Sequence, residues 1–418
     1  MNTLSLSILS FFTILAIAPM ACQDSADLQK DEVRRNLDFT PKEEQKLAQD
    51  NEFTLSLFGE ALSSLENGDN ILMSPVSASL ALAMLNNGAE GETKEAIRQA
   101  LKFDGFSDEE INTYYQKIID VLPHLDPNTT LDIANSIWYR QEFNAKPSFL
   151  DINRSFYHAE LSALDFKSPK APDQINDWVS DNTNGKIPSI VDDIPADMVM
   201  YLINAIYFKG AWQEKFDPER TREMPFKRPS GSDLQTDFMN IQEKFNIVQS
   251  KDVQGVELPY GDGQFSMYVF MPTGDTPLKT FIKKFDDSNF LAEVYGGFSK
   301  RETNLSLPKF KFAYENTLND ELKRMGMDIA FTDRADFSGI ADESLMLSEV
   351  KQKAFIEVNE EGTEAAAVTG VGVSVTSMPI VQTLTFDKPF FFLIRENNCG
   401  LILFTGAVND PSQKESKN

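Results

Sequence analysis

Between about Met198 and Val408 the sequence is a succession of short apolar runs, YLINAIYF, GVELPY, FSMYVFMP, TNLSLPKFKF, KAFIEV, TLTF, FFFLI and LILFTGAV. The stretch before it carries helical spacing instead. Phe53, Leu57, Phe58, Ala61 and Leu62 recur at helical intervals behind an acidic start at 41–44. A second helix is expected after Ser74-Pro75, with Ser as cap, Pro at the first helical position and Gly88 ending it. Further helices are expected at 92–101, 108–122 and 172–183. Helices first and strands later point to an α+β fold with mostly antiparallel sheet, not a parallel βαβ sheet. Gly261-Asp262-Gly263 marks one hairpin, and the polar residues 395–400 mark another. A chain of 418 residues suggests two or three domains by size alone. No linker or internal repeat interrupts residues 41–408, so a single large domain over 42–410 is the better expectation.

The ends read differently. Residues 4–18, LSLSILSFFTILAIA, fit the apolar region of a secretory signal and are too short to span a bilayer. Pro19-Met20-Ala21-Cys22 follows and resembles a bacterial lipoprotein signal, although Pro19 replaces the usual branched residue and no basic residue precedes the apolar run. The expectations are a signal peptide over 1–21, lipidation at Cys22 and a flexible acidic tether over 22–41. A disordered tail is expected over 411–418. The protein would then be exported and held at the cell envelope. Cleavage nearby with Cys22 incidental is the alternative.

Thirty-nine basic and 64 acidic residues leave a net charge of −25, which disfavours nucleic acid and anionic membrane surfaces as partners. The only other cysteine, Cys399, sits in a polar turn and reads as a bystander thiol. Asn128, Asn153 and Asn304 head glycosylation sequons that matter only in a eukaryotic secretory pathway. His124 and His158 have no zinc-motif partners, and there is no nucleophile elbow, phosphate loop or Cys-x-x-Cys. Adjacent acids such as Asp192-Asp193 read as solvated charge. No catalytic residue, metal or cofactor is expected.

One segment stands apart. Residues 360–379, EEGTEAAAVTGVGVSVTSMP, are small and nearly uncharged after Glu364. A structureless stretch of this length in a compact domain is uncommon unless it is functional or disordered. Its Val and Thr would suit a strand with both faces covered, whereas its Ala content also suits a flexible linker or short helix.

In this setting the chain resembles the serpin family of protease inhibitors. The resemblance rests on 70–77 (NILMSPVS), 88–93 (GAEGET), 182–187 (NTNGKI), 202–212 (LINAIYFKGAW), 307–310 (LPKF), 325–340, 353–367 (KAFIEVNEEGTEAAA) and 388–390 (KPF), in order. It implies one large domain whose five-stranded sheet accepts the cleaved reactive loop, 360–382, as an extra strand. A serine protease, or a cysteine protease, would be trapped as a covalent acyl-enzyme by a monomeric inhibitor. The resemblance makes Glu360, Glu361, Gly362, Thr363, Glu364, Ala365, Ala366 and Ala367 the hinge, free of obstructive side chains after Glu364. With Glu360 as the seventeenth residue before the cut, the reactive bond is Thr376–Ser377; Val373 or Met378 would be the attack point in another register. Thr376 after Val375 suits elastase-like or subtilisin-like pockets, and Val375 could serve a cysteine protease. Ser74, Ser77, Asn204 and Gln352 match a polar sheet-opening cluster joined by mutual hydrogen bonds, with Gln352 where a His is common. Trp212 matches the place where the loop first enters, and Lys309 the partner of Glu360. The acidic start of 108–122 lacks a heparin-binding face. A non-inhibitory serpin-fold binding protein is the alternative.

Overall fold

The computed structural model describes residues 37–64, 68–363 and 381–417. The described strands form one sheet of nine strands and one of seven, with helices around them. The fold is α+β and mostly antiparallel, as expected. The helices run close to their anticipated bounds, at Pro41–Ser64, Pro75–Asn86, Gly91–Ala100, Asp108–Val121 and Ala171–Asn182. Thr40 and Glu43 cap the first reciprocally: the Glu43 amide donates to Thr40 Oγ1 at 3.3 Å and the Thr40 amide donates to Glu43 Oε2 at 2.7 Å. Ser74 does not cap the second. Its hydroxyl donates to the Leu403 carbonyl at 2.8 Å and ties that helix to a strand instead.

The sequence-level picture needs three corrections. The fold begins before residue 41, because Leu37 is buried and the ring of Phe39 lies 5.4 Å from Tyr114. At the other end, residues 411–417 are not a loose tail: Glu415–Lys417 lies parallel to the strand Phe310–Thr317. Strands also occur among the early helices. Thr129–Arg140 pairs antiparallel with Met200–Ala211 and parallel with Glu160–Leu164, through a crossover containing the helix Pro147–Tyr157. The long strand Asp233–Gln249 was likewise not anticipated. Both expected hairpins are present, Val253–Tyr260 with Phe265–Pro272 and Phe390–Glu396 with Ile402–Val408. The single run TNLSLPKFKF divides into Ser299–Pro308 in the nine-stranded sheet and Phe310–Thr317 in the seven-stranded one. Lys309 therefore stands where the chain changes sheets.

The seven-stranded sheet consists of five long strands and two short pieces. Its order is Glu415–Lys417, Phe310–Thr317, Lys351–Asn359, Gly362–Thr363, Met200–Ala211, Thr129–Arg140 and Glu160–Leu164. Phe208 joins it to the other sheet through ring contacts with Tyr260 at 5.0 Å, Phe265 at 5.9 Å and Phe404 at 6.3 Å. On its opposite face the helix Ala171–Asn182 packs Ile175 and Val179 into a separate cluster with Trp138 and Ile203. Of the three sequons, Asn153 is fully buried and its side chain donates to the Met84 carbonyl, so this folded chain offers no glycan site there.

Aromatic packing dominates the nine-stranded sheet. Phe391 is buried against Phe270, Phe281 and Phe285, with ring separations of 4.7 to 5.8 Å. Phe391→Ala removes all three contacts and leaves a cavity, so it is expected to destabilise the protein by about 3–5 kcal/mol in denaturant unfolding. A loss below about 1 kcal/mol would mean that the neighbouring rings refill the space.

Candidate functional site

The two residues Gly362 and Thr363 define the site. They pair antiparallel on both sides: Thr363 with Val358 and Gly210, and Gly362 with Asn359 and Ala211. Two ladders at about 4.8 Å each hold the flanking long strands about 9.5 Å apart, the width of one missing strand. Among the described residues no ladder joins Met200–Ala211 directly to Lys351–Asn359. Only glycine fits at 362. Its φ is 149°, and a Cβ there would lie 2.1 Å from the Gly210 carbonyl oxygen.

Side chains lock the top of this slot. Trp212 donates its indole N–H to the Asn359 carbonyl at 2.9 Å, its backbone N–H donates to the Glu361 carbonyl at 2.9 Å, and its ring stacks on Tyr260 at 4.6 Å. The Tyr260 hydroxyl lies 2.6 Å from Thr363 Oγ1. Lys309 Nζ donates to Glu360 at 3.0 and 3.1 Å, and Thr221 Oγ1 donates to the same carboxylate at 2.7 Å. Burial pushes the Glu360 carboxyl up. The hydrogen bonds from Thr221 and Lys309 outweigh it and hold the carboxyl below its ordinary 4.5. Lys215 pairs with Glu361 at 2.9 Å. The expected meeting of Trp212, Lys309 and the start of the hinge is thus present.

The sheet-opening cluster is only partly as expected. Ser74 and Gln352 exchange two hydrogen bonds, amide N to Oε1 at 3.2 Å and Nε2 to carbonyl at 2.7 Å. Asn204 does not join them; its Nδ2 donates to Asn135 Oδ1 at 2.8 Å, and its Oδ1 is buried without a partner. Ser77 lines the same cavity as Asn204 and Gln352. Sequence reasoning missed two members. Asn135 stands opposite Asn204, and Asn316, whose side-chain amide is also buried without a partner, stands opposite Gln352. Four amides therefore form a row across the sheet, interrupted only at the slot.

Two cavities lie along the slot. The upper one is lined by Thr363, Phe208, Ile206, Ile356 and Lys186. The lower, of about 120 Å³, lies between the starts of the two long strands and is lined by Leu82, Met200, Leu202, Asn204, Leu347 and Gln352 among others. Beyond the undescribed stretch, Gln382–Thr385 pairs in parallel with Ser299–Pro308, so the expected loop ends inside a strand of the other sheet. Glu364, Ala365, Ala366, Ala367, Thr376, Ser377 and Cys22 lie outside the described residues. Cys399 is half-buried; burial and then the Glu396 carboxylate push its thiol well above the ordinary value, as suits a bystander.

A strand-wide slot with its first two positions occupied is the arrangement expected of the family suggested by the sequence, and comparison with known proteins agrees. Residues 48–411 match the family model described as Serpin (serine protease inhibitor). Leukocyte elastase inhibitor of Sus scrofa is 36% identical over 88% of this chain and 100% of that protein. Neuroserpin of Homo sapiens is 32% identical over 82% of this chain and 86% of its own length. Among solved structures, the thermophilic serpin tengpin in the native state aligns with a TM-score of 0.80 at 33% identity, covering 89% of this chain and 95% of that one. Thyroxine-binding globulin in complex with thyroxine aligns with a TM-score of 0.78 at 26% identity, covering 88% and 100%. Fold, site and relatives together establish that the chain belongs to the serpin family.

Proposed function

We propose that the protein is a suicide-substrate protease inhibitor whose loop is cut at Thr376–Ser377 and then fills the slot. The observation that carries this reading is the Gly362–Thr363 strand, already in register with both walls of a gap that no other described strand fills. The target's serine or cysteine attacks the Thr376 carbonyl, the amide bond to Ser377 breaks, Ser377 leaves as the amine, and Thr376 stays esterified, or thioesterified, to the protease. Strand addition then competes with hydrolysis of that acyl bond. At about 3.3 Å per residue, Gly362 to Thr376 spans about 50 Å, enough to drag the attached protease the length of the sheet.

Continuing the observed register supports the reading. Each step along the loop falls one residue earlier on both walls, so Ala365 would face Phe208 and Ile356, and Ala367 would face Ile206 and Ala354. Small side chains suit positions beside Phe208, Ile356 and Ile206. Thr369 would fall between Asn204 and Gln352, on the same face as Thr363. Its hydroxyl could donate to Asn204 Oδ1, the atom that now lacks a partner, and would close the amide row. A buried acceptor left unsatisfied costs about 1–3 kcal/mol, so insertion relieves a deficit built into the open sheet. Thr376 and Val375 direct the bait to elastase-like or subtilisin-like enzymes, because a trypsin-like pocket needs Lys or Arg. The relatives named as elastase inhibitors agree with that choice.

Incubation with elastase and subtilisin is expected to yield a complex that survives SDS, and cleavage is expected to raise the thermal midpoint. Thr369→Arg, which puts a charge between the walls, is expected to turn the protein into a plain substrate, cut at the same bond without complex. Cleavage of the wild type with neither complex nor added stability, for every protease tried, would favour a non-inhibitory carrier, as thyroxine-binding globulin is by its name.

The Glu360 contact carries a pH dependence. A carboxyl held below its ordinary value stabilises the fold above about pH 4.5 and loses that contribution as the pH falls further. Glu360→Gln is expected to lower the thermal midpoint at neutral pH, by an amount equivalent to roughly 1 kcal/mol because Lys309 is a third open to water. The gap between variant and wild type should close in acid. An equal gap at both pH values would show that charge is not what Glu360 contributes.

We also propose export and anchoring through a lipidated Cys22, on the strength of the apolar run followed by Ala21-Cys22. The intact mass of the mature N-terminus decides it: a chain beginning at Cys22 with added diacylglycerol and acyl mass supports the anchor, and an unmodified chain begun elsewhere excludes it.

A further inference from the structure

The inhibitory reading makes no use of the outer edge of the seven-stranded sheet. Phe310–Thr317 pairs along one side with Lys351–Asn359. In an antiparallel ladder alternate residues turn their N–H and C=O groups to opposite sides. The Ala313 N–H donates away from that ladder, to the Lys414 carbonyl at 3.0 Å, so Ala313 and Glu315 turn their backbone groups outward. Glu415–Lys417 lies in parallel across Ala313, Tyr314 and Glu315 and occupies that edge.

The base of this short strand is firmly fixed. Asn70 is fully buried; its Oδ1 accepts from the Asn409 and Asp410 amides at 2.7 and 2.9 Å, and its Nδ2 donates to the Asp410 carbonyl at 2.8 Å. The Asn70 amide donates to Gln413 Oε1 at 2.7 Å, and Gln413 Nε2 donates to Asp69 Oδ1 at 2.9 Å. Arg228 pairs with Asp410 at 3.1 Å. A strongly clamped base thus presents a three-residue strand to an edge that would otherwise be a template for another chain.

The edge is complementary to itself. If two copies of Phe310–Thr317 paired antiparallel about Ala313, Lys311 of each would face Glu315 of the other, and Phe312 would face Tyr314. We propose that residues 413–417 are a built-in blocking strand that keeps this edge from pairing with the same edge of a second copy of the chain. Its release would yield a twofold dimer through Phe310–Thr317. The inference is independent of protease trapping and is read by mass, not by inhibition.

Two variants test it. Ser416→Pro removes an N–H and constrains the backbone within the blocking strand, and removal of residues 412–418 deletes it. Light scattering after size exclusion is expected to give one monomer mass for the wild type and twice that mass for both variants, reversible on dilution. Amide exchange at Ala313 and Glu315 should be slow in the wild type and faster by roughly tenfold or more in the diluted variants. In the Ser416→Pro background, Lys311→Glu should abolish the dimer and adding Glu315→Lys should restore it. Variants that stay monomeric at concentrations where the wild type is monomeric, or a wild type already dimeric, would overturn the blocking role. Dimers indifferent to the charge exchange would overturn the pairing geometry.

Discussion

Everything distinctive in this molecule follows from two parallel-running strands that are held apart. Met200–Ala211 and Lys351–Asn359 are long enough to pair, yet Gly362–Thr363 stands between them and keeps them two ladder spacings apart at the top of the sheet. Inner edges without a ladder carry backbone groups that a further strand would satisfy, which is why such a sheet is both a liability and a store of free energy. The proposed insertion would also account for the size of the domain, since a sheet that admits a strand across its full length cannot be shared between independently folding halves.

The slot is held at two levels by different chemistry. At the top, the charge pair of Lys309 and Glu360 and the indole bond of Trp212 fix where the hinge turns. Lower down, neutral amides line the walls: Gln352 is bound to the Ser74 backbone and Asn204 to Asn135. In the proposed insertion, neutral hydrogen bonds of about 1 kcal/mol could be exchanged, whereas buried charges in the walls would oppose it. In the wall formed by Met200–Ala211, the buried acceptor without a partner, Asn204 Oδ1, is the atom that the proposed insertion would satisfy through Thr369.

Much of this was legible in the sequence because hydrophobic period and turn chemistry are local. The hairpin at Gly261-Asp262-Gly263 and the helix at Pro75–Asn86 needed nothing else. Asp233–Gln249 escaped because exposed polar residues on both faces, Gln242, Glu243 and Lys244 among them, interrupt its apolar positions, so it does not read as an apolar run. Thr129–Arg140 escaped because it lies among helices and mixes polar and apolar residues. Asn135 and Asn316 look like ordinary strand polar residues, and only their register opposite Asn204 and Gln352 reveals a row. Ser74 was placed correctly as a boundary but misjudged as a cap, since its true partner, the Leu403 carbonyl, is distant in sequence.

The two ends of the loop explain why, in the proposed reaction, a cut must come first. Its start is fixed in the seven-stranded sheet at Thr363, and its end is fixed in the other sheet, where Gln382 pairs with Thr303. The strand that pairs with Gln382, Ser299–Pro308, runs directly into Lys309 at the top of the slot. Descent from Thr363 to Thr376 covers about 45 Å, while the residues left between Thr376 and Gln382 reach about 20 Å when fully extended. An uncut loop can therefore follow this path only if Gln382–Thr385 abandons its ladder with Ser299–Pro308. In that reaction the four paired residues in the nine-stranded sheet would act as the latch on the slot in the seven-stranded one, and cleavage of one bond in the loop by acyl transfer would release the start without disturbing the end.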